Sequence, residues 1–251
     1  MGGIQDKEKV AEICGAIIGD GWIQGNGRGC FIAGDPLEDK EYYDEHLSKI
    51  FSEIICPIET KNFPYWKVYG IGLYKKKEIQ KLLDFGLKKG KKVDIVTTPN
   101  WIKNGNSKIK QSFLRGFFDA DGSVFCQKSY GKYNNKFDKK YHSKIRLRLT
   151  SISKELISEI FQICKELNLR VTLTKSKGGF RQNRNRSDVY RININELRSI
   201  EKWFEEIKPA NKKHSTKYMI WKEHGFCPPF TTIKQRKDIL KKGIKPYSYY
   251  T

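Results

Sequence analysis

Acidic residues are scarce. The 251-residue chain sets 28 Asp plus Glu against 49 Lys plus Arg, for a net charge of +21. The excess is spread along the whole chain and exceeds what solubility needs, so a polyanion is the natural partner. Paired cysteine motifs are missing. Cys14, Cys30, Cys56, Cys126, Cys164 and Cys227 lie far apart, and His46, His142, His214 and His224 keep no fixed spacing to them. A zinc ribbon or finger is therefore excluded, and free thiols in a reducing compartment are expected. A long apolar run is missing too, and Met1-Gly2-Gly3 leads directly into the charged Gln5-Asp6-Lys7-Glu8-Lys9. Neither a membrane span nor a signal peptide is read there, so the expectation is a protein that is not secreted. The glycines at 21, 25, 27 and 29 lack a Gly-Lys-Ser/Thr ending and run into Cys30-Phe31-Ile32, which excludes a phosphate loop and fits a β-hairpin with a Gly-Asn-Gly turn. What is present, 38% hydrophobic residues, suffices for one sizeable core or two small ones in a soluble globular protein.

Two stretches organise the rest: Ile13-Cys14-Gly15-Ala16-Ile17-Ile18-Gly19-Asp20-Gly21 and Leu114-Arg115-Gly116-Phe117-Phe118-Asp119-Ala120-Asp121-Gly122. Each reads as the last turns of an apolar helix that stops on an acid followed by glycine. Gly15 and Gly19, and likewise Gly116 and Ala120, stand four apart, so each helix carries a strip of missing side chain where another backbone can approach. A helix C-terminus already presents unpaired carbonyls and partial negative charge, and Asp20 and Asp121 add full charges there. Packed side by side, the two ends would form an oxygen-lined pocket suited to a hard divalent cation such as Mg²⁺. One copy alone reads as an ordinary Asp-Gly turn; two copies in parallel contexts point to a built site.

The chain also repeats. The first half reads as helix, strand, strand, helix, strand, strand, helix: the motif helix, a hairpin, a long helix from about Leu37 to Ile55, strands over Ile58 to Asn62 and Trp66 to Tyr74, and a helix from Lys76 to Phe85. The second half follows with a motif helix from near Ser107, a hairpin of Val124 to Lys128 and Lys144 to Ser151, a long helix from Lys154 to Leu167, strands over Arg170 to Lys175 and Asp188 to Asn193, and a closing helix from Leu197 to Ile207. Val68-Tyr69 matches Val189-Tyr190, Ile71 matches Ile192 and Ile79 matches Ile200, all at an offset of 121, while the motif acids are offset by 101. The divisions are 1–104, 105–210 and a basic helical extension over 211–251, expected to pack on the second half or clamp nucleic acid.

These stretches resemble the double LAGLIDADG motif of the homing endonucleases. The second copy is close to the family pattern; the first opens on Ile13-Cys14 and has Ile18 and Gly19 where the family name has Asp and Ala, with the Gly-Asp-Gly ending familiar among archaeal members. The resemblance implies an α/β (α+β) fold of two αββαββα halves whose four-stranded antiparallel sheets form a saddle over duplex DNA, with the motif helices at the interface. It implies a monomeric endodeoxyribonuclease cutting both strands of a long asymmetric site and leaving 3′ overhangs. Asp20 and Asp121 each serve one strand, and the carbonyls of Gly19 and Ala120 complete a Mg²⁺ site, with Mn²⁺ as substitute and Ca²⁺ supporting binding without cleavage. Asp119 faces Ile18 in the repeat and reads as structural. Lys92 and Lys213, paired at the offset of 121, stand where family members place a lysine near the pocket, against the plain reading of solvated lysine runs. Gln24 and Gln127 are candidates for a polar residue near the base of the first hairpin. The expected DNA-contacting pool is Arg28, Lys67, Lys128, Arg146, Arg148, Arg170, Lys175, Arg181, Arg184, Arg186 and Arg191, of which Arg28, Arg181, Arg184 and Arg186 also read as loop charges. An RNA maturase acting on intron RNA, or a silent nucleic-acid-binding regulator, is the alternative; retention of both acids counts against a pure binder. Splicing residues are missing at both ends, which favours an intron-encoded or free-standing gene over an intein, in a prokaryotic, archaeal-like cytoplasm or encoded by an organelle.

Overall fold

The computed structural model describes residues 4–90, 96–128, 140–181 and 184–250. Helix α1 (Ile4–Asp20) passes without a linker into strand β1 (Gly21–Ile23). Only glycine fits the junction, since a Cβ at Gly21 would stand 2.7 Å from Ile17 Cα. Strand β2 (Cys30–Gly34) returns antiparallel through the expected turn, where Asn26 accepts from the Arg28 N–H at 3.0 Å and Gly27 takes a φ of +67°. A continuous helix α2 then covers 40–54, with α-helical Lys40–Tyr42, a π turn at Tyr43–Leu47 and α-helical Ser48–Ile54. It starts three residues later than the sequence suggests. The Asp35 carboxylate accepts from the N–H groups of Leu37 and Glu38 at 2.7 and 3.0 Å and holds that segment as a turn. Strands β3 (Lys61–Phe63) and β4 (Val68–Leu73) and helix α3 (Lys76–Asp84) complete the first half.

A short helix α4 (Asn100–Lys103) leads into α5 (Ser107–Asp121), where Asn106 caps the first turn by accepting from the Ile109 N–H at 3.0 Å. The second half continues with β5 (Gly122–Gln127), β6 (Lys144–Ser151), α6 (Lys154–Glu166), β7 (Thr172–Ser176), a small hairpin of β8 (Gly179–Arg181) and β9 (Arg184–Arg186), β10 (Val189–Ile194), and a helix α7 over 197–207 that ends in a π turn at Trp203–Ile207. The β8–β9 hairpin is an addition to the expected order. Residues 129–139 of the long Lys128 to Ser143 connection lie outside the described residues.

The two four-stranded sheets have the same order, β1-β2-β4-β3 and β5-β6-β10-β7, antiparallel throughout. Each buries one face against helices, as alternation requires. Ile32, Ile71 and Leu73 point inward from the first sheet, and Leu147, Leu149, Ile192 and Ile194 from the second, in a core shared with α1 and α5.

The extension forms α8 (Lys212–His224), stopped by Gly225 at φ +75°, α9 (Ile233–Leu240) and a 3₁₀ turn at Pro246–Tyr250. It packs on the second half, where Cys126 of β5 meets Cys227, but it also reaches the first. Arg236, fully buried, donates to Thr216 Oγ1 at 3.0 Å and to the Glu38 carboxylate; the Ile233 N–H reaches Glu38 Oε1 at 2.8 Å, and Lys237 pairs with Glu41. The extension therefore ties the two halves together. All six cysteines are free thiols, and no helix among the described residues is long and apolar enough to cross a membrane.

Candidate active site and nucleic-acid interface

The two motif helices cross at their glycines. A Cβ at Gly15 would stand 2.2 Å from Phe113 O, and one at Gly116 would stand 2.0 Å from Glu12 O, so neither position has room for a side chain. At the last turn a Cβ on Gly19 would fall 2.5 Å from Ala120 Cβ. The helix ends thus touch at Gly19 and Ala120, and Asp20 and Asp121, the next residue of each chain segment, emerge beside one another. Their shared neighbourhood registers on Tyr43, whose phenol is pushed well up by burial and by the charges of Asp20, Asp39 and Asp121.

Asp39, which the sequence does not single out, belongs to this neighbourhood. It is buried at the start of α2 and accepts from Lys213 Nζ at 2.8 Å and from Asn211 Nδ2 at 2.7 Å. Lys213 Nζ also donates to Ala120 O at 3.3 Å, so this ammonium stands at the C-terminus of the second motif helix. Asn211 holds it there: its amide donates to Asp119 O at 3.1 Å, and its Oδ1 caps α8 by accepting from the Lys213 N–H at 3.0 Å. Asp119 is 0% exposed and accepts from the N–H groups of Ala210 and Asn211 at 2.8 and 3.1 Å. Burial lifts its carboxyl to about 7 in spite of these two donors. Its role is structural, anchoring the segment that delivers Lys213. Asn directly before a helix is a capping signal legible in sequence; Asp39 also precedes a helix but its side chain caps nothing there, and the Asn211 and Lys213 it meets at the site lie more than 170 residues away.

About two turns deeper, Glu12 is 2% exposed and accepts from Arg115 Nη2 and Nε at 2.6 and 2.9 Å, with His46 Nε2 at 2.6 Å on its other oxygen. Burial would raise the Glu12 carboxyl, but His46 and the Arg115 guanidinium hold it below its ordinary value. This ion pair joins the first motif helix to the second and has no mirror image, since at the motif offset Glu12 matches Phe113 and Arg115 matches Cys14.

The other expected residues fall as follows. Gln24 opens the β1–β2 turn, where its N–H donates to Gly29 O at 2.9 Å. Gln127 ends the strand that starts just after Asp121, on the order of 20 Å away by strand rise, at the sheet's outer end and not beside the acids. Lys92 lies outside the described residues. Arg146 and Arg148 of β6 and Arg191 of β10 share the open face of the second sheet. Arg148 Nε donates to Asn193 Oδ1 at 3.0 Å and lies over the Phe125 ring, and Arg191 donates to Ser176. Burial and the charges of Arg191 and Arg146 lower the Arg148 pKa, the mark of a crowded cationic face. Among the described residues no carboxylate pairs with these three arginines. Lys175, by contrast, pairs with Asp188 at 2.5 Å, and Arg170, expected on a strand, precedes β7 and lies 3.7 Å from Glu196. Arg28 and Lys67 sit in the two turns of the first sheet, and Lys128 follows β5. Arg181, Arg184 and Arg186 fall on the β8–β9 hairpin; their side chains lie outside the described residues.

The geometry fits a hard cation. Two carboxylates flank a contact between two helix C-termini that supplies main-chain carbonyls, all oxygen donors. Among the described residues no group of three or more His, Cys, Asp or Glu is arranged as a closed metal cage, so water and substrate oxygens would complete the coordination of a Mg²⁺-like ion.

Comparison with known proteins agrees with the fold. Residues 108–208 match the family model of the LAGLIDADG-like domain. The fold is similar to that of the homing endonuclease I-DmoI, at 18% identity and a TM-score of 0.52 over 81% of this chain and 96% of that one. I-DmoI in complex with DNA and Mn is similar at 17% identity and a TM-score of 0.51, over 81% and 97%. Full-length DUF199/WhiA from Thermatoga maritima is similar at 12% identity and a TM-score of 0.50, over 97% of this chain and 68% of that one. A replication factor C small subunit of Methanocaldococcus jannaschii is 30% identical over 178 residues, 64% of this chain; the chain spans 9% of that protein's length.

Proposed function

We propose that this chain, whose residues 108–208 match the LAGLIDADG-like domain and whose two halves share one fold, is a LAGLIDADG protein acting as a metal-dependent, site-specific DNA endonuclease that cuts both strands of a long asymmetric duplex. The observation that carries the reading is the pairing of Asp20 with Asp121 at the Gly19–Ala120 contact, with Lys213 held at the same helix end and an arginine face on the adjoining sheet. Asp20, Asp121 and the carbonyls of Gly19 and Ala120 would hold Mg²⁺, or Mn²⁺ in its place. Such an ion supplies Lewis acidity toward the scissile phosphate and an acidified water.

The chain's own residues supply the rest. Two acids on one pseudo-two-fold axis address two scissile phosphates, one per strand. The Lys213 ammonium, fixed between Ala120 O and Asp39, stabilises charge that develops on a phosphate oxygen or orients a water, and Lys92 is the corresponding residue of the first half. Asn211 and Asp119 keep Lys213 in place without touching substrate. The arginines of the second sheet and the turn cations Arg28 and Lys67 bind the duplex, giving a salt-dependent affinity. The reading includes 3′ overhangs, action as a monomer, and an intron-encoded or free-standing gene.

A binding-only role is the second reading, because the fold, which DUF199/WhiA shares, offers the same basic sheet faces to a nucleic acid whether or not its acids cut. The test is cleavage of a randomised duplex library with Mg²⁺ and with Ca²⁺, by the parent chain and by Asp20→Asn and Asp121→Asn. Sequence-specific breaks with Mg²⁺ alone are expected, each variant losing at least about a hundredfold in double-strand cleavage while binding stays within a few-fold. Salt-sensitive binding with no cut under any condition would leave the binding role, to be pursued with structured intron RNA.

A further inference from the structure

The open faces of the two sheets differ in kind. On the first sheet Trp22 and Phe31 stand side by side in register, Phe31 opposite Gly72, and Phe63 lies opposite Val68. Phe31 is the hub, with ring centroids 6.2 Å from Trp22, 5.9 Å from Phe63, 5.3 Å from Trp66 and 5.6 Å from Tyr74. Bare backbone at Gly72 lets Tyr74 lie over it, since a Cβ there would stand 2.7 Å from the Tyr74 hydroxyl. The rings stay open to solvent, Trp22 at 44%, Trp66 at 48% and Tyr74 at 53% exposure, around a hollow of about 350 Å³. Lys61, over the Phe63 and Tyr74 rings, is the cation of this face on the strands. An exposed apolar patch of this kind on a strongly basic chain marks an interaction site. The second sheet carries Arg146, Arg148 and Arg191 in corresponding strands.

Base chemistry separates the two faces. Arginine forks pair with O6 and N7 of guanine in the major groove, whereas apolar side chains meet the C5 methyl of thymine. An aromatic face laid on G·C pairs would strip water from the cytosine amino group and the guanine acceptors and return no hydrogen bond. Laid on A·T pairs it also covers the adenine N7 and amino group and the thymine O4, but it gains contact with the thymine methyl, which a G·C pair lacks. Phe31 packs edge-on against three neighbours, at interplanar angles of 80–84°, so the cluster presents one continuous apolar surface and not separated ring faces into which single-stranded bases would slot. Pairing of two copies through this face would bring Arg28, Lys61 and Lys67 of each against the other, and the four strands, among the described residues, set no acid between them.

Resting on the endonuclease reading above, we infer that the two half-sites are read by different chemistry: thymine methyls in an A·T-rich half under the first sheet, and guanines in a G·C-rich half under the second.

The experiment selects bound duplexes from a randomised library with Ca²⁺ present, then replaces thymine by deoxyuridine, or guanine by 7-deazaguanine, on one side of the selected site at a time. Trp66→Ala and Arg148→Ala serve as partners; both residues are at least partly exposed, and circular-dichroism melts verify that each variant folds. Deoxyuridine on the A·T-rich side is expected to weaken the parent chain about tenfold and Trp66→Ala less than twofold. Deazaguanine on the other side should weaken the parent by a similar factor and Arg148→Ala little. A site of even composition, silence of deoxyuridine on both sides, or tighter binding of single strands than of the duplex would overturn the inference while leaving sequence-specific cleavage intact. Failure of any duplex to be enriched would overturn the endonuclease reading and this one together.

Discussion

The two halves are alike where they are buried and unlike where they are open. Both sheets run in the same strand order, and both bury aliphatic residues against helices, Ile32 and Ile71 in one and Leu149 and Ile192 in the other. Their open faces share almost nothing, rings around Phe31 on one side and arginines around Arg148 on the other. The axis between them is mixed: the Gly15 and Gly116 contacts are reciprocal, while the Glu12–Arg115 pair and the Asp119–Asn211 contact have no counterpart, since the repeat sets Phe113, Cys14, Ile18 and Gly90 at the matching positions. Packing admits few solutions at a backbone crossing, so both halves keep the same one. Polar contacts and open surface are freer, and there the halves part.

The most severe way to break the symmetric part is Gly116→Val. Its Cβ would lie 2.0 Å from a main-chain oxygen that has nowhere to move, so the helix crossing itself must open. A loss on the order of 5 kcal/mol is expected, read as a collapse of the urea-unfolding midpoint. A midpoint unchanged within error would mean that the helices do not cross as described.

That crossing was legible in the sequence because its cause is local: glycines four apart leave a groove on whatever helix they occupy. The element order was legible for the same reason, each element resting on spacing within a short window, and the two halves matched because the same local patterns recur about a hundred residues on. The rest depends on contacts that no window contains. Asp39 meets Lys213 and Asn211 from the opposite end of the chain, and Arg236 crosses from the tail to Glu38. The aromatic face is not legible in sequence because Trp22, Phe31, Phe63 and Trp66 come from separate strands and turns, and each reads as one more core residue. The β8–β9 hairpin was hidden in a stretch whose arginines read as loop charges.

A milder perturbation tests the one-sided polar core. Replacing Arg115 by Met leaves the Glu12 carboxylate buried with His46 as its remaining partner, for a cost of about 3 kcal/mol. Adding Glu12→Leu should recover most of that loss, since an apolar pair of similar volume needs no counter-charge. The measurement is a double-mutant cycle by denaturant unfolding, and strict additivity would show that the two charges do not depend on each other.

The smallest effect, and the one that divides the halves most sharply, belongs to Lys213. Its ammonium touches the carbonyl of Ala120, beside Asp121, and a buried relay from the second half holds it there. Lys213→Met should slow cleavage about 10- to 100-fold, or ~1.4–2.7 kcal/mol of barrier, with affinity within a few-fold. If one acid serves each strand, the defect falls mainly on the strand served by Asp121, and nicked duplex accumulates. Lys92→Met should nick the opposite strand, because the repeat assigns it to the first half. Strand-resolved cleavage kinetics on end-labelled duplex separates the outcomes. Mirror-image nicks would mean that the pseudo-two-fold axis extends to the chemistry despite the unlike sheets. Equal slowing of both strands by either variant would mean one shared centre, and a loss of binding would make the two lysines phosphate anchors.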